Sequence, residues 1–316
     1  MPNRSTWGIA TLVGLLAAGG AWTVASSDSS TAASVPQQLF QKSDVAALAD
    51  AAAKGRVADI RRILDAGVNV NSKGMRGLTP LGYALIRHNL DGAQALLKHG
   101  ADPNFTYEDD VYKEPLPFIL IVAAKGSAEE LALLLQYGGN ANARAPIRRD
   151  AAPDRQYEGD SVLIESASDL AKVKALVQHG ADVNYVPHPD SASTSRSAAI
   201  VKAAGLAQLE VVDFLLDHGA IDLDETVDAL QGRPWAVEQR AQLMEVMRKL
   251  REKGGRIYAS YRPLRSEKLE AYPPQDTPTE WISPGFLDMR EVWKNRLQRW
   301  EKQGKPAGSG GSSTRA

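Results

Sequence analysis

Apolar residues in this chain come in short bursts at spacings of three and four, and the bursts come in pairs. Val45, Leu48 and Ala52 form one stripe and Val57, Ile60, Ile63 and Leu64 the next. Ala93, Leu96 and Leu97 share a face, as do Val211, Val212, Phe214, Leu215 and Leu216 further on. This periodicity predicts helices of two or three turns, each burying one face. Helices so short do not hold alone in water, so each pair must stack on its neighbours. Near the C-terminus, Leu243, Val246, Met247 and Leu250 predict a capping helix over about Val237 to Lys253, ended by Gly254 and Gly255.

The stretch from Arg76 to Asn104 shows the unit most fully. Thr79 has the side chain of a helix N-cap, and Pro80 suits the first helical position, where no donor is needed. A helix is therefore predicted from about Pro80 to Arg87, and Leu90 and Asp91 open a second one. Gly100 supplies the left-handed residue that ends it, and Asp102 and Asn104 are turn formers. The closing signature recurs as Gly67-Val68-Asn69-Val70-Asn71, Gly138-Gly139-Asn140-Ala141-Asn142, Gly180-Ala181-Asp182-Val183-Asn184 and, degraded, Gly219-Ala220-Ile221-Asp222. Gly67 and Gly100 stand 33 residues apart, and later intervals are longer. This period, with Thr-Pro-Leu opening the pair and Gly-Ala-Asp-x-Asn closing it, resembles the ankyrin repeat. The resemblance covers about Val45 to Ile257. It implies an all-α ankyrin-repeat solenoid of about five to six helix-turn-helix repeats with extended hairpin loops, a scaffold that binds other macromolecules. The residue that is His after Thr-Pro-Leu in typical repeats is Gly82 here, and the other repeats lack the block. Hydrogen bonds that usually tie neighbouring repeats are therefore expected to be missing.

In chain order, Arg4 precedes a nearly uncharged run from Trp7 to Ala25 and a Ser/Thr/Ala-rich stretch. This is the layout of a secretory signal cut after Ala25 or Ala33, and equally of an uncleaved anchor attaching the chain to a membrane through residues 7–25. Both export the remainder, because Arg4 stays inside. Residues 26–42 read as a flexible linker, 43–257 as the repeat domain, 258–305 as a C-terminal extension and 306–316 as a disordered tail. In the extension, Phe286, Met289, Trp293, Leu297 and Trp300 make an apolar helical face opposite Arg290, Lys294, Arg296, Arg299 and Lys302. That amphipathic helix packs back on the last repeat or lies on an anionic membrane.

Three insertions fall where the family's hairpin fingers project, at 105–113, 144–159 and 185–196. Insertions of this kind carry recognition in repeat proteins. The first combines acids with tyrosines and the second is basic, so successive fingers are expected to carry opposite charge. The candidate partner-binding residues are Tyr107, Glu108, Asp109, Asp110, Tyr112, Arg144, Arg148, Arg149, Arg155, Tyr157 and Tyr185.

Composition adds little beyond exclusions. A formal charge of −1 gives no reason to expect nucleic acid as a partner. With no cysteine, disulfides, thiolate zinc sites and cysteine nucleophiles are absent. His99, His179 and His218 each precede a helix-ending glycine, where they cap carbonyls and stand too far apart to share a metal, while His88 and His188 lack ligand-spaced companions. Gly159-Asp160-Ser161 is similar to an esterase block, but Ser161 occupies the N-cap slot and no Asp-x-x-His block follows. The acids Asp222, Asp224, Glu225 and Asp228 lack the glycine and terminal glutamate of a calcium loop and read as helix-capping groups. No catalytic residue, cofactor or metal is expected. The expected function is a non-enzymatic binder of a protein partner in the bacterial envelope or periplasm, in the manner of an immunity protein blocking an effector such as a phospholipase; a membrane-anchored scaffold is the alternative.

Overall fold

The computed structural model describes residues 35–151, 157–188, 191, 197–231, 235–256 and 298. The signal or anchor at 1–25, the 258–305 extension apart from Gln298, and the 306–316 tail lie outside these residues. The described chain divides into two compact units. One holds 35–151 and 174–180; the other holds 157–173, 181–188, 191, 197–231, 235–256 and 298.

The first unit begins with α1 (Val35–Leu39), followed by the pair α2 (Ser43–Ala53) and α3 (Val57–Asp65). The next pair is α4 (Pro80–Ile86) and α5 (Leu90–Lys98), starting and ending within a residue of expectation. The Thr79 hydroxyl accepts from the Gly82 amide and the Asn89 side chain from the Gly92 amide, so both N-termini are capped. The short strands β1 (Thr106–Tyr107) and β2 (Leu116–Pro117) pair antiparallel and lead into α6 (Phe118–Lys125) and α7 (Ala128–Gln136). A reciprocal capping box of Ser127 and Glu130 opens α7. First helices pack on first helices, α2 on α4, and second on second, α3 on α5 and α5 on α7. In the terminal helix α3 only Ile60 is buried and Val57 is 48% exposed, although the sequence stripe includes it. A terminal helix has a neighbour on one side only, so half of its stripe meets water.

The 26–42 linker ends earlier than its composition suggests. Residues 35–39 are helical, and Phe40 is 2% exposed, set edge-on against the Tyr83 ring with centroids 6.2 Å apart. A low-period polar stretch gave no sign that one aromatic residue would find a groove on a folded repeat.

Hydrogen bonds between neighbouring repeats, expected to be missing, are supplied by the asparagine that closes each loop. Asn71 Nδ2 donates to Gly100 O at 3.1 Å and its Oδ1 accepts from the Asp102 amide at 2.8 Å. Asn104 repeats this one step on, with Gly138 O at 3.0 Å and the Asn140 amide at 2.8 Å, and Asn142 Nδ2 donates to Gly180 O at 2.9 Å. The side chain thus acts as a splint for two backbone groups that a loop leaves over. Asn104→Ala should lower the unfolding free energy by about 1 to 2 kcal/mol in a urea titration, against the roughly 0.5 kcal/mol typical of exposed surface positions.

The second unit contains α8 (Val162–Glu165), shortened to about one turn, and α9 (Leu170–Gln178), whose residues fall in both units. Next come α10 (Ala199–Gly205) and α11 (Leu209–Asp217), then α12 (Leu223–Gln231) and the capping helix α13 (Arg240–Glu252). The expected inward residues of the cap, Leu243, Val246, Met247 and Leu250, are all buried. Lys249 on α13 pairs with Asp213 at 2.6 Å and Asp217 at 3.1 Å on α11. The asparagine device appears here too: Asn184 Nδ2 donates to Gly219 O and Oδ1 accepts from the Ile221 amide, both at 3.0 Å. Of the acids at 222–228, Asp224 and Glu225 lie in the first turn of α12, where the helix dipole favours negative charge, and Asp228 lies beyond it.

Candidate functional site

Within the first unit, the loops that follow the second and third helix pairs are joined into one platform. The hairpin from β1 to β2 stands on the repeat with Tyr107 and Leu116 buried at its base. Beyond it the chain meets the second insertion at an antiparallel bridge between Tyr112 and Arg148. The Lys113 amide donates to Ile147 O at 2.8 Å, and the Arg149 amide donates to Val111 O at 2.9 Å. These bonds span more than thirty residues of sequence and convert two loops into one surface.

Eleven residues carry the sequence expectation, and the structure distributes them by role. Glu108, Asp110 and Arg149 are exposed on the platform, and Tyr112, Arg144 and Arg148 are partly exposed on it. Tyr107 and Asp109 are buried supports of the hairpin, and Asp109 Oδ1 accepts from the Val111 amide at 2.8 Å. Burial pushes the Tyr107 hydroxyl above its ordinary pKa, with Arg76 opposing. In the second unit Tyr185 is buried and its hydroxyl donates to Gly159 O at 2.9 Å, and the partly exposed Tyr157 stacks on the buried His188 ring with centroids 3.5 Å apart. Buried in this way, Tyr107, Asp109 and Tyr185 shape their loops and present no side-chain face to a partner. Arg155 lies outside the described residues.

Two charges of the insertions, Asp110 and Arg148, are met by neighbours within the first unit. Arg76 reaches Asp110 at 2.6 Å, and Arg148 holds both oxygens of Asp150 at 2.9 Å, which keeps that carboxyl below its ordinary range. The exposed charges on the platform are Glu108, Asp110, Lys113, Glu114, Arg149 and Asp150, of both signs and interspersed. Such a surface fits a protein partner with its own mixed charges better than a uniformly charged polymer.

The remaining polar groups account for themselves as structure. His99, His179 and His218 each bring Nδ1 within 2.7 to 2.8 Å of the carbonyl four residues earlier, on Ala95, Ala175 and Phe214. A carbonyl only accepts, so Nδ1 carries the proton in each. The Ser161 hydroxyl accepts from the Ile164 amide at 3.3 Å as the cap of α8. His88 adopts the left-handed conformation at φ 53° in the turn after α4, and its Nδ1 donates to Glu130 Oε1 on α7 at 3.0 Å. Nothing in its local sequence marks that contact, which depends on a partner 42 residues away.

In the second unit Glu165 lies 3.7 Å from Lys202. Burial raises its carboxyl pKa from the ordinary 4.5, Lys202 opposes this and Asp160 reinforces it. A raised folded-state pKa means that the contribution is fully present at acid pH and fades as pH climbs from 4.5 through the raised value. Unfolding titrations across that range should show this fall, and Glu165→Gln should flatten it; an unchanged slope in the variant would assign it elsewhere.

Residues 76–107 match the family model of the ankyrin repeat. A 57-residue stretch, 18% of this chain, is 42% identical to cyclin-dependent kinase 4 inhibitor B of Bos taurus. The alignment takes in 43% of that inhibitor, so the chain spans less than half the length of this curated relative. Among solved structures, the human ASB11 ankyrin repeat domain aligns with 82% of this chain and 99% of its own at 19% identity and a TM-score of 0.47. An ankyrin repeat domain from Acinetobacter baumannii AYE aligns with 66% of this chain and 97% of its own at 21% identity and a TM-score of 0.48. The class defined by the helix pairs, their glycine-ended loops and the matched unit is that of repeat proteins built for binding. Within this chain, residues 76–107 form a unit that matches the ankyrin repeat.

Proposed function

We propose that this chain is a non-catalytic protein-binding module of the bacterial envelope that covers a partner enzyme, as an immunity protein covers a secreted effector such as a phospholipase. The observation that carries the reading is the joined platform of 106–117 and 144–150, a preordered protruding surface with tyrosine and arginine at its centre. Loops already tied by backbone hydrogen bonds lose little entropy on association, which favours tight binding from a modest area. Aromatic and arginine side chains are the usual anchors of such contacts. The envelope assignment is supported by the sequence of residues 1–25, whose apolar run after Arg4 suits export. The name of the bovine relative, a kinase inhibitor, is compatible with inhibition by covering. The alternative, a scaffold anchored through residues 7–25, rests on the length of that same run, and the mature N-terminus distinguishes the two.

The test is affinity capture from an envelope fraction of the source cells with the tagged chain and with the double variant Glu108→Lys/Arg149→Glu, which changes exposed side chains and leaves the platform's backbone bonds in place. The captured enzyme should be inhibited by the parent chain and released by the variant. Retention and inhibition unchanged by the variant, and by shortening each of the three insertions, would contradict the reading.

A further inference from the structure

A recess lies in the first unit, lined by none of the residues of either platform loop. It is a cavity of about 320 Å³ between the C-terminal ends of α4 and α6, at the small end of the range for ligand pockets. Its walls are Leu85, Ile86, Phe118, Ile121 and Val122. Three cation-forming side chains stand at its mouth, Arg87, His88 and Lys125, all exposed.

One carboxylate lines the cavity, that of Glu130, and both of its oxygens are engaged. Oε1 accepts from His88 Nδ1 at 3.0 Å and Oε2 from the Ser127 amide at 2.7 Å. The Glu130 side chain is 3% exposed while that of His88 is 68% exposed, so the mouth presents the imidazole and conceals the acid. Gly126 keeps the wall open, since a Cβ there would stand 2.7 Å from Glu130 Oε2 and 2.8 Å from Val122 Cγ1. The recess is therefore apolar within and positive at the rim.

We infer that this recess is a docking site for an acidic peptide segment, which inserts one large apolar side chain between α4 and α6 and sets its carboxylates against Arg87, His88 and Lys125. Charge decides between possible occupants. A basic amphipathic segment, such as the Phe286 to Trp300 stripe of this chain with its arginines and lysines, would bring like charge to the rim. An acidic segment meets opposite charge there, and the one lining carboxylate, Glu130, is buried with both oxygens engaged by His88 and the Ser127 amide, so it is not presented at the rim. The site does not rest on the platform reading and needs no knowledge of the enzyme captured there.

The experiment is fluorescence anisotropy with the folded chain and a labelled N-acetyl-Asp-Glu-Phe-Glu-Asp amide. The same peptide with Phe replaced by Ala, and Lys-Lys-Phe-Lys-Lys, serve as comparison probes. The acidic Phe peptide should bind best, and added salt should weaken it. Lys125→Glu and Arg87→Glu should each reduce affinity about tenfold, whereas Lys98→Glu on α5 and the platform variant Glu108→Lys/Arg149→Glu should leave it unchanged. Thermal unfolding of each variant confirms that the first unit is intact. Equal binding of the acidic and basic probes, absence of binding, or affinity indifferent to both rim variants at unchanged thermal stability would overturn the proposal. Loss of binding in the platform variant alone would place the peptide on the loops and overturn it equally.

Discussion

Gly92→Ala should destabilise the first unit by about 3 kcal/mol or unfold it outright. At an ordinary solvent-facing helix position the same exchange stabilises by about 1 kcal/mol through helix propensity, so the sign itself is informative. Gly92 is the third residue of α5, and a Cβ there would lie 1.9 Å from Ala52 O and 2.7 Å from the carbonyl carbon. The obstacle is backbone at the end of α2, which no rotamer change relieves. To admit one methyl group, α5 must retreat from the preceding pair, taking the buried Ala93, Leu96 and Leu97 with it. Circular dichroism during a urea titration reads the effect. A stabilised variant would mean that the pairs stand further apart than described.

Phe40→Ala should cost about 3 kcal/mol, within the usual range for a buried phenylalanine. The ring is 2% exposed, meets Tyr83 edge-on and fills space that only Gly74 leaves free, since a Cβ at 74 would stand 2.6 Å from Phe40 Cδ1. The 35–40 segment thus packs against α2 and, through Phe40, against α4. A truncated chain starting at Ser43 should show the same loss as the point variant. Unchanged unfolding in both would make the segment a tether without structural effect.

Local signals were legible in the sequence and distant partners were not. The caps at Thr79 and Ser161, the paired helices and the histidines at 99, 179 and 218 depend on residues three or four positions away, and each appears as the spacing implies. The Phe40 contact, the Tyr112 to Arg148 bridge and the His88 to Glu130 bond join residues 36 to 43 positions apart. One sequence carries no sign of such pairings, because in each at least one half, Phe40, Tyr112, Arg148 or His88, lies in a loop outside the helical pattern. Charge misled for a related reason. Acids at 108–110 and arginines at 144–149 suggested two separate fingers offering opposite charge to a partner, whereas Asp110 is paired with Arg76, Arg148 with Asp150, and the two loops are joined through their backbones. The asparagines were read as turn formers, and Asn71 and Asn104 do end their loops as expected. Their second role, bonding to the next repeat's loop, requires the stacking itself.

The central claim is that the two insertions form one ordered surface on the stacked pairs before any partner arrives. Amide hydrogen exchange at Lys113 and Arg149 in the free chain tests it most directly, because their donors cross the join to Ile147 O and Val111 O. The account predicts that both amides exchange far more slowly than an unstructured chain and slow together. Exchange of both at the unstructured rate, with the helices around them protected, would contradict it.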